Sequence, residues 1–466
     1  MNRLSPRPEP ILYALASALT IAALSLCAIA CSSEDRGRDR TIVIDNVPVW
    51  GVSLEPAFTL EKGASKTISA NVQPSNASNK SLEWKCEPAG IATVNASGLA
   101  TALVTAVNVG KATITVTTKD GGKTDTCEVT VTEATPPPPE PDVYIAGYVT
   151  NGQGFDIATL WKNRSALPLS SQSTRNSQAN SAFAFGDYVY VAGYENNSQG
   201  RSVAMLWKID GVSGLIESNE LTDGARDAKA NAVFVNGDGV YVAGYERSYT
   251  RNREEEATLW TDGVSKSLGN TDFNRYGRSN ANAVFVSGSY VYVAGYEINY
   301  SQGQDREVAT LWTNGVSKPL GNSNSGQYGK SFANAILASG TDVYVVGNEF
   351  SHSQYRAVAT LWKNNERAEQ IGTATSGNSD AQSIVGSGGD VYVAGHEYSR
   401  AIETATLWKN GLGSPLSDTW SQAYQAQSHD GDMYVLGVVA GTVTLWKNGR
   451  ELYSIGNATA KSVFVK

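Results

Sequence analysis

Val291-Tyr292-Val293-Ala294-Gly295-Tyr296, then a polar stretch, then Ala309-Thr310-Leu311-Trp312-Thr313-Asn314-Gly315, make up one phrase that recurs seven times after residue 142. Its tryptophans are Trp161, Trp207, Trp260, Trp312, Trp362, Trp408 and Trp446, and its strand glycines are Gly147, Gly193, Gly244, Gly295, Gly347, Gly395 and Gly437. A further run precedes the phrase, Ala281-Asn282-Ala283-Val284-Phe285-Val286, and another follows it, Val316-Ser317-Lys318-Pro319-Leu320. These four short strands, A to D, are apolar or β-branched almost throughout. Strands covered on both faces have that pattern.

A period of roughly 40 to 50 residues built only of strands reads as a β-propeller, one blade per copy. The region opens on a strand B, Val143-Tyr144-Ile145-Ala146-Gly147, and ends on an orphan strand A, Ala460-Lys461-Ser462-Val463-Phe464-Val465. An orphan strand leaves backbone groups unmet. Pairing it with the first copy predicts seven blades closed by the C-terminal strand.

The C–D turns Asp262-Gly263, Asn314-Gly315, Asn410-Gly411 and Asn448-Gly449 are type I′ hairpin signals. The B–C and D–A connections vary in length and content between copies. Alternating strand direction puts these variable connections on one face of the propeller, where binding residues are expected. The candidates there are Tyr249, Tyr300, Tyr355 and Arg356 from B–C connections, and Tyr276 and Trp420 from D–A connections. Exposed Tyr, Arg and Trp suit stacking on sugars or contact with a protein.

Strand A also carries an amide fifteen positions before a glutamate: Asn180/Glu195, Asn231/Glu246, Asn282/Glu297, Asn334/Glu349 and Gln382/Glu397. In the other copies both change together, to Tyr424/Val439 and Lys461/Val149. Two readings stand: amide-to-carboxylate hydrogen bonds across each hairpin near the channel mouth, or a partial ring of carboxylates that holds calcium or a hydroxyl-rich ligand.

Residues 1–30 read as an export signal. Arg3 and Arg7 precede an apolar run that ends at Ala28-Ile29-Ala30-Cys31. That ending resembles a bacterial lipoprotein cleavage site, with Ala28 where Leu is usual, and implies lipidation of Cys31. An uncleaved anchor and plain secretion are the alternatives. A polar tether (31–48) follows, and then residues 49–133 alternate apolar and polar with period two, the pattern of a small antiparallel sandwich. Leu60-Glu61-Lys62-Gly63, Val72-Gln73-Pro74, Trp84, Ile91-Ala92-Thr93-Val94, Gly98-Leu99-Ala100, Gly110-Lys111-Ala112-Thr113-Ile114 and Val129-Thr130-Val131 make this stretch similar to bacterial immunoglobulin-like domains of group 2. The resemblance implies a stalk or adhesion module. Strand parity points Cys86 and Cys127 inward. In an oxidising compartment they are disulfide candidates, the alternative being two buried thiols. A proline-rich linker (134–141) separates this domain from the propeller (142–466). The expected class is all-β, an Ig-like sandwich followed by a seven-bladed propeller.

A formal charge of −8 with no Lys/Arg stripe argues against a nucleic-acid partner. Three histidines and four cysteines offer little for a transition-metal site. No catalytic set stands out, so the expectation is a chain that is not an enzyme and needs no cofactor. It would bind a glycan or protein at the bacterial surface and meet the outer membrane only through its lipid. The alternatives are a propeller enzyme acting on glycans and a purely structural protein.

Overall fold

The computed structural model describes residues 46–136, 140–247, 254–269, 276–299, 306–320, 328–351, 354–364, 366–372, 377–399 and 402–466. They are all-β, and the chain divides into two compact units at residues 138 and 139.

In the first unit, two four-stranded sheets pack face to face. One orders Gly51–Leu54, Ser65–Gln73, Thr101–Ala106 and Ala92–Ala96; the other orders Phe58–Glu61, Thr124–Thr132, Gly110–Thr118 and Leu82–Glu87. The pairing of Phe58–Glu61 with Thr124–Thr132 is parallel, where alternation alone suggested an antiparallel sandwich. Every second residue points inward, so Ile68, Val104, Ile114 and Val129 form the core at 0% exposure.

Cys86 and Cys127 correct an expectation: both are free. Cys86 pairs with Ile114, and Ile114 pairs with Cys127, so a whole strand lies between the thiols. Two strand spacings place their Cα atoms about 10 Å apart, against the roughly 7 Å limit of a disulfide. Strand parity had fixed the face correctly but not the neighbour. The Cys127 thiol donates to the Pro56 carbonyl instead, at 3.3 Å.

In the second unit, the described residues form seven four-stranded antiparallel sheets. Sheet 1 joins Val143–Thr150, Asp156–Lys162 and Ser165–Pro168 to the C-terminal strand Thr459–Val465. Sheets 2 to 7 begin with their strands A: Ser177–Phe185, Ala228–Asn236, Tyr276–Ser287, Tyr328–Ser339, Ser379–Ser387 and Ser421–His429. Each strand A packs on the strand A of the next sheet, and Thr459–Val465 touches those of both sheet 2 and sheet 7. The succession is therefore cyclic and propeller-like. Two hydrogen bonds fasten the closing strand: Ala182 N donates to Ser462 Oγ at 3.0 Å, and Val463 N donates to Gln425 Oε1 at 2.9 Å.

The repeated tryptophans lie between sheets. Trp312 packs on Tyr241, Ala243 and Leu259 of the preceding sheet, and Trp362 packs on Ala294, Ala309 and Leu311 in the same way. Buried serines add a polar tie: Ser279, Ser331, Ser379 and Ser421 each accept the main-chain N–H of the alanine opening the preceding copy's Ala-Thr-Leu-Trp motif, at 2.9 Å. At the tight-turn end, Asp262/Gly263, Asn314/Gly315, Asn410/Gly411 and Asn448/Gly449 all have positive φ, as type I′ turns require. The side chains of Asn314 and Asn410 also accept the N–H of Val291 and Val391 at the start of strand B. This pins the C–D hairpin to strand B.

Candidate functional site

One irregularity builds the centre of the second unit. In all seven sheets the pairing of strands A and B slips by one residue. The slipped residues are Asn180, Asn231, Asn282, Asn334, Gln382, Tyr424 and Lys461, the same positions whose amides recur in the sequence. A bulge re-aims its extra residue, and here all seven line one central cavity of about 500 Å³. The strand B glycine lies against the same bulge. At each of the seven, a Cβ would overlap a strand A carbonyl oxygen, so the glycine is a steric requirement.

The amides do not pair with the glutamates. Glu195 stands opposite Ser177, Glu297 opposite Ser279 and Glu349 opposite Ser331, three residues along strand A from the amide. The side chains of Asn180, Asn231, Asn282 and Asn334 donate instead to the carbonyls of Ala230, Ala281, Ala333 and Ala381 in the next sheet, at 2.9–3.0 Å. They stitch neighbouring sheets around the cavity. None of Glu195, Glu246, Glu297, Glu349 and Glu397 lines it. Glu246 pairs with Arg226 at 3.1 Å, and Glu297 and Glu349 are buried. Among the described residues no three Asp, Glu, His or Cys groups gather as a metal site, which removes the geometric basis for a calcium ring.

The lipidation candidate Cys31 and the loop candidates Tyr249 and Tyr300 lie outside the described residues. The backbone of Tyr276 opens a strand and pairs with Asn299, so this residue belongs to strand A and not to the preceding connection. Tyr355 is 83% exposed, and Arg356 beside it donates to Gln354 and to the Gly377 carbonyl. Trp420 is 44% exposed, with its indole N–H donated to Glu403 Oε2 at 3.2 Å.

Glu403 organises a cluster that sequence reasoning did not find. It also accepts from Gln422 Nε2 at 3.1 Å, and its other oxygen lies 3.0 Å from His396 Nε2. His396 and Gln422 line the central cavity. His396 pairs across the hairpin with Asp380, whose oxygens accept from Asn334 Nδ2 and Gln382 Nε2. Burial pushes the Asp380 carboxyl above its usual range, against those bonds and the nearby histidine. The signal lay in the position just before the strand A alanine, which varies where the rest repeats: Gln178, Lys229, Asn280, Phe332, Asp380 and Gln422. Opposite these, Tyr194, Tyr245 and Tyr296 follow the strand B glycines. Burial raises all three phenols, Tyr194 to about 12, so they present neutral hydroxyls.

Residues 48–129 match the family described as Bacterial Ig-like domain (group 2). That segment of the first unit is a bacterial Ig-like domain. Curated relatives include an Ig-like virion protein of Serratia phage KSP90, 41% identical over 108 residues, 22% of this chain and 41% of that protein. A kappa-carrageenase of Pseudoalteromonas carrageenovora is 42% identical over 86 residues, 18% of this chain and 21% of that protein. The chain thus spans less than half the length of the curated relatives it matches.

Similar solved structures include the beta-propeller domain of the Trilobed protease from Pyrococcus furiosus (TM-score 0.39, 10% identity, 76% of this chain and 95% of that one). Others are a putative 6-phosphogluconolactonase from Bacteroides fragilis (TM-score 0.36, 11% identity, 72% and 100%) and a GH43 beta-xylosidase/alpha-arabinofuranosidase from a compost microbial metagenome (TM-score 0.30, 10% identity, 64% and 96%). These names overturn the expectation that a chain of this kind is not an enzyme. At such scores they transfer no particular activity.

Proposed function

We propose that this chain is a lipid-anchored protein of the bacterial envelope that binds a glycan through the variable end of its propeller-like unit, with the Ig-like domain as stalk. The observation that carries the reading is the exposed Trp420 indole, held by Glu403 beside a cavity lined with amides. An aromatic face stacks on the apolar face of a sugar ring, while carboxylate, amide and hydroxyl groups meet its hydroxyls. Lipidation at Cys31 would fix the chain to the outer membrane.

The test is capture of glycans on an array by the full chain. Trp420→Ala should weaken capture about tenfold, or about 1.4 kcal/mol, with an unchanged melting temperature. Absence of capture by the wild type, or equal capture by the variant, would refute the reading.

A further inference from the structure

We infer that a cleft between sheets 1 and 2, apart from the central cavity, binds a short zwitterionic peptide with an aliphatic side chain.

Two variable connections border the cleft: the chain from Pro168 to Arg175 leading out of sheet 1, and Asn196 and Asn197 at the end of strand B of sheet 2. Its volume is about 500 Å³, in the range of small-molecule sites. Leu169, Val203, Met205 and Ile216 give it an apolar side. Met205 departs from the repeat. In the other six copies this position is a threonine (Thr159, Thr258, Thr310, Thr360, Thr406 and Thr444) whose hydroxyl donates to the carbonyl two residues earlier, at 2.9–3.2 Å. The copy that borders the cleft replaces this hydroxyl with a thioether, which adapts readily to an aliphatic ligand.

The charged residues depart from the repeat in what they contact. In sheet 3, Arg226 lies two residues before Ala228, the strand A partner of Glu246, and pairs with that glutamate at 3.1 Å. The corresponding residues of sheet 2 are Arg175 and Glu195, the latter opposite Ser177. Both are half-buried and line the cleft, yet among the described residues neither has a partner within ion-pair distance. Glu220, exposed at the end of strand D, lines it too. One guanidinium and two carboxylates therefore surround an apolar side without meeting one another. A ligand of single charge would pair with one sign and leave the other desolvated and unmet. A zwitterion satisfies both. Its carboxylate meets the guanidinium fork of Arg175, its ammonium lies against Glu195 and Glu220, and its side chain covers Met205.

Calorimetric titration of the full chain compares leucyl-leucine with its N-acetyl form, its C-terminal amide and glycyl-glycine. Leucyl-leucine should bind about tenfold more tightly than any of the other three. Arg175→Gln should erase the preference over the amide. Glu195→Gln combined with Glu220→Gln should erase the preference over the acetylated peptide. Met205→Thr, which restores the residue of the other copies, should erase the preference over glycyl-glycine, whereas Lys318→Gln in sheet 4 should change nothing. Melting curves verify that each variant is folded. Failure of leucyl-leucine to bind, or equal binding of all four peptides, would overturn the proposal. Discrimination that survives the arginine and glutamate substitutions would overturn the assignment of these residues. Glycan capture is read separately, so the two proposals fail independently.

Discussion

The Asn282 side chain donates to the main-chain carbonyl of Ala333 at 3.0 Å, linking one sheet to the next. The cooperativity of the second unit is therefore built partly at the wall of its cavity. Asn282→Ala removes one neutral hydrogen bond and should cost about 1 kcal/mol. Because Glu297 stands opposite Ser279 and not Asn282, the loss in Asn282→Ala combined with Glu297→Gln should be the sum of the single losses. Urea denaturation of the four proteins measures this. A clear departure from additivity would restore the direct pair.

Gly295 faces the Asn280 carbonyl with no room for a Cβ. Gly295→Ala should destabilise the chain by about 1–3 kcal/mol, since the backbone has to shift. Gly456, with nothing within 4 Å of its notional Cβ, is the control and should tolerate alanine. Equal melting temperatures for the two variants would show that the bulge is more yielding than its geometry implies.

With a strand between Cys86 and Cys127, reductant should leave the melting temperature of the first unit unchanged. Alkylation after denaturation without reductant should modify both residues. Burial raises both thiol pKa values, so alkylation of the native protein near neutral pH should be slow. Recovery of a peptide pair joined through these cysteines would contradict the register.

Hydrogen bonds from Lys363, Lys409 and Lys447, then from Asn364, Asn410 and Asn448, hold the carboxyls of Asp342, Asp390 and Asp432 below their usual range. A folded-state pKa below the unfolded one stabilises at pH above the unfolded value of about 4, and that contribution disappears as pH falls through the folded value. The wild type should therefore melt above the Asp342→Asn, Asp390→Asn, Asp432→Asn triple variant at pH 6. The gap should close as the pH falls below about 4. A gap that stays constant down to pH 2 would remove these carboxyls as its cause.

The tryptophan period, the Asn-Gly turns and the orphan C-terminal strand were legible because each reflects local chemistry. A bulky residue must be covered, a type I′ turn requires positive φ, and an unpaired edge requires a partner. The strand B glycines were visible as a pattern, but their cause was not. That cause is a carbonyl on the neighbouring strand, brought close by a one-residue slip that periodicity does not encode. The amide and glutamate columns were also visible, and contact across each hairpin is one of the two readings their covariation allows. Both columns belong to the same blade design, but they contact different partners.

By itself the sequence determined an all-β chain, an Ig-like first unit, and a repeating second unit with tight turns at one end and variable connections at the other. Those features follow from side-chain period, turn conformation and burial, which act over a few neighbouring residues. Tertiary structure alone decided that Asn282 reaches Ala333, that Cys86 and Cys127 stand apart, and that His396, Glu403 and Trp420 meet beside the cavity. Each of these relationships joins residues on separate strands or separate sheets, so it depends on register and on closure of the ring, which are properties of the assembled sheets.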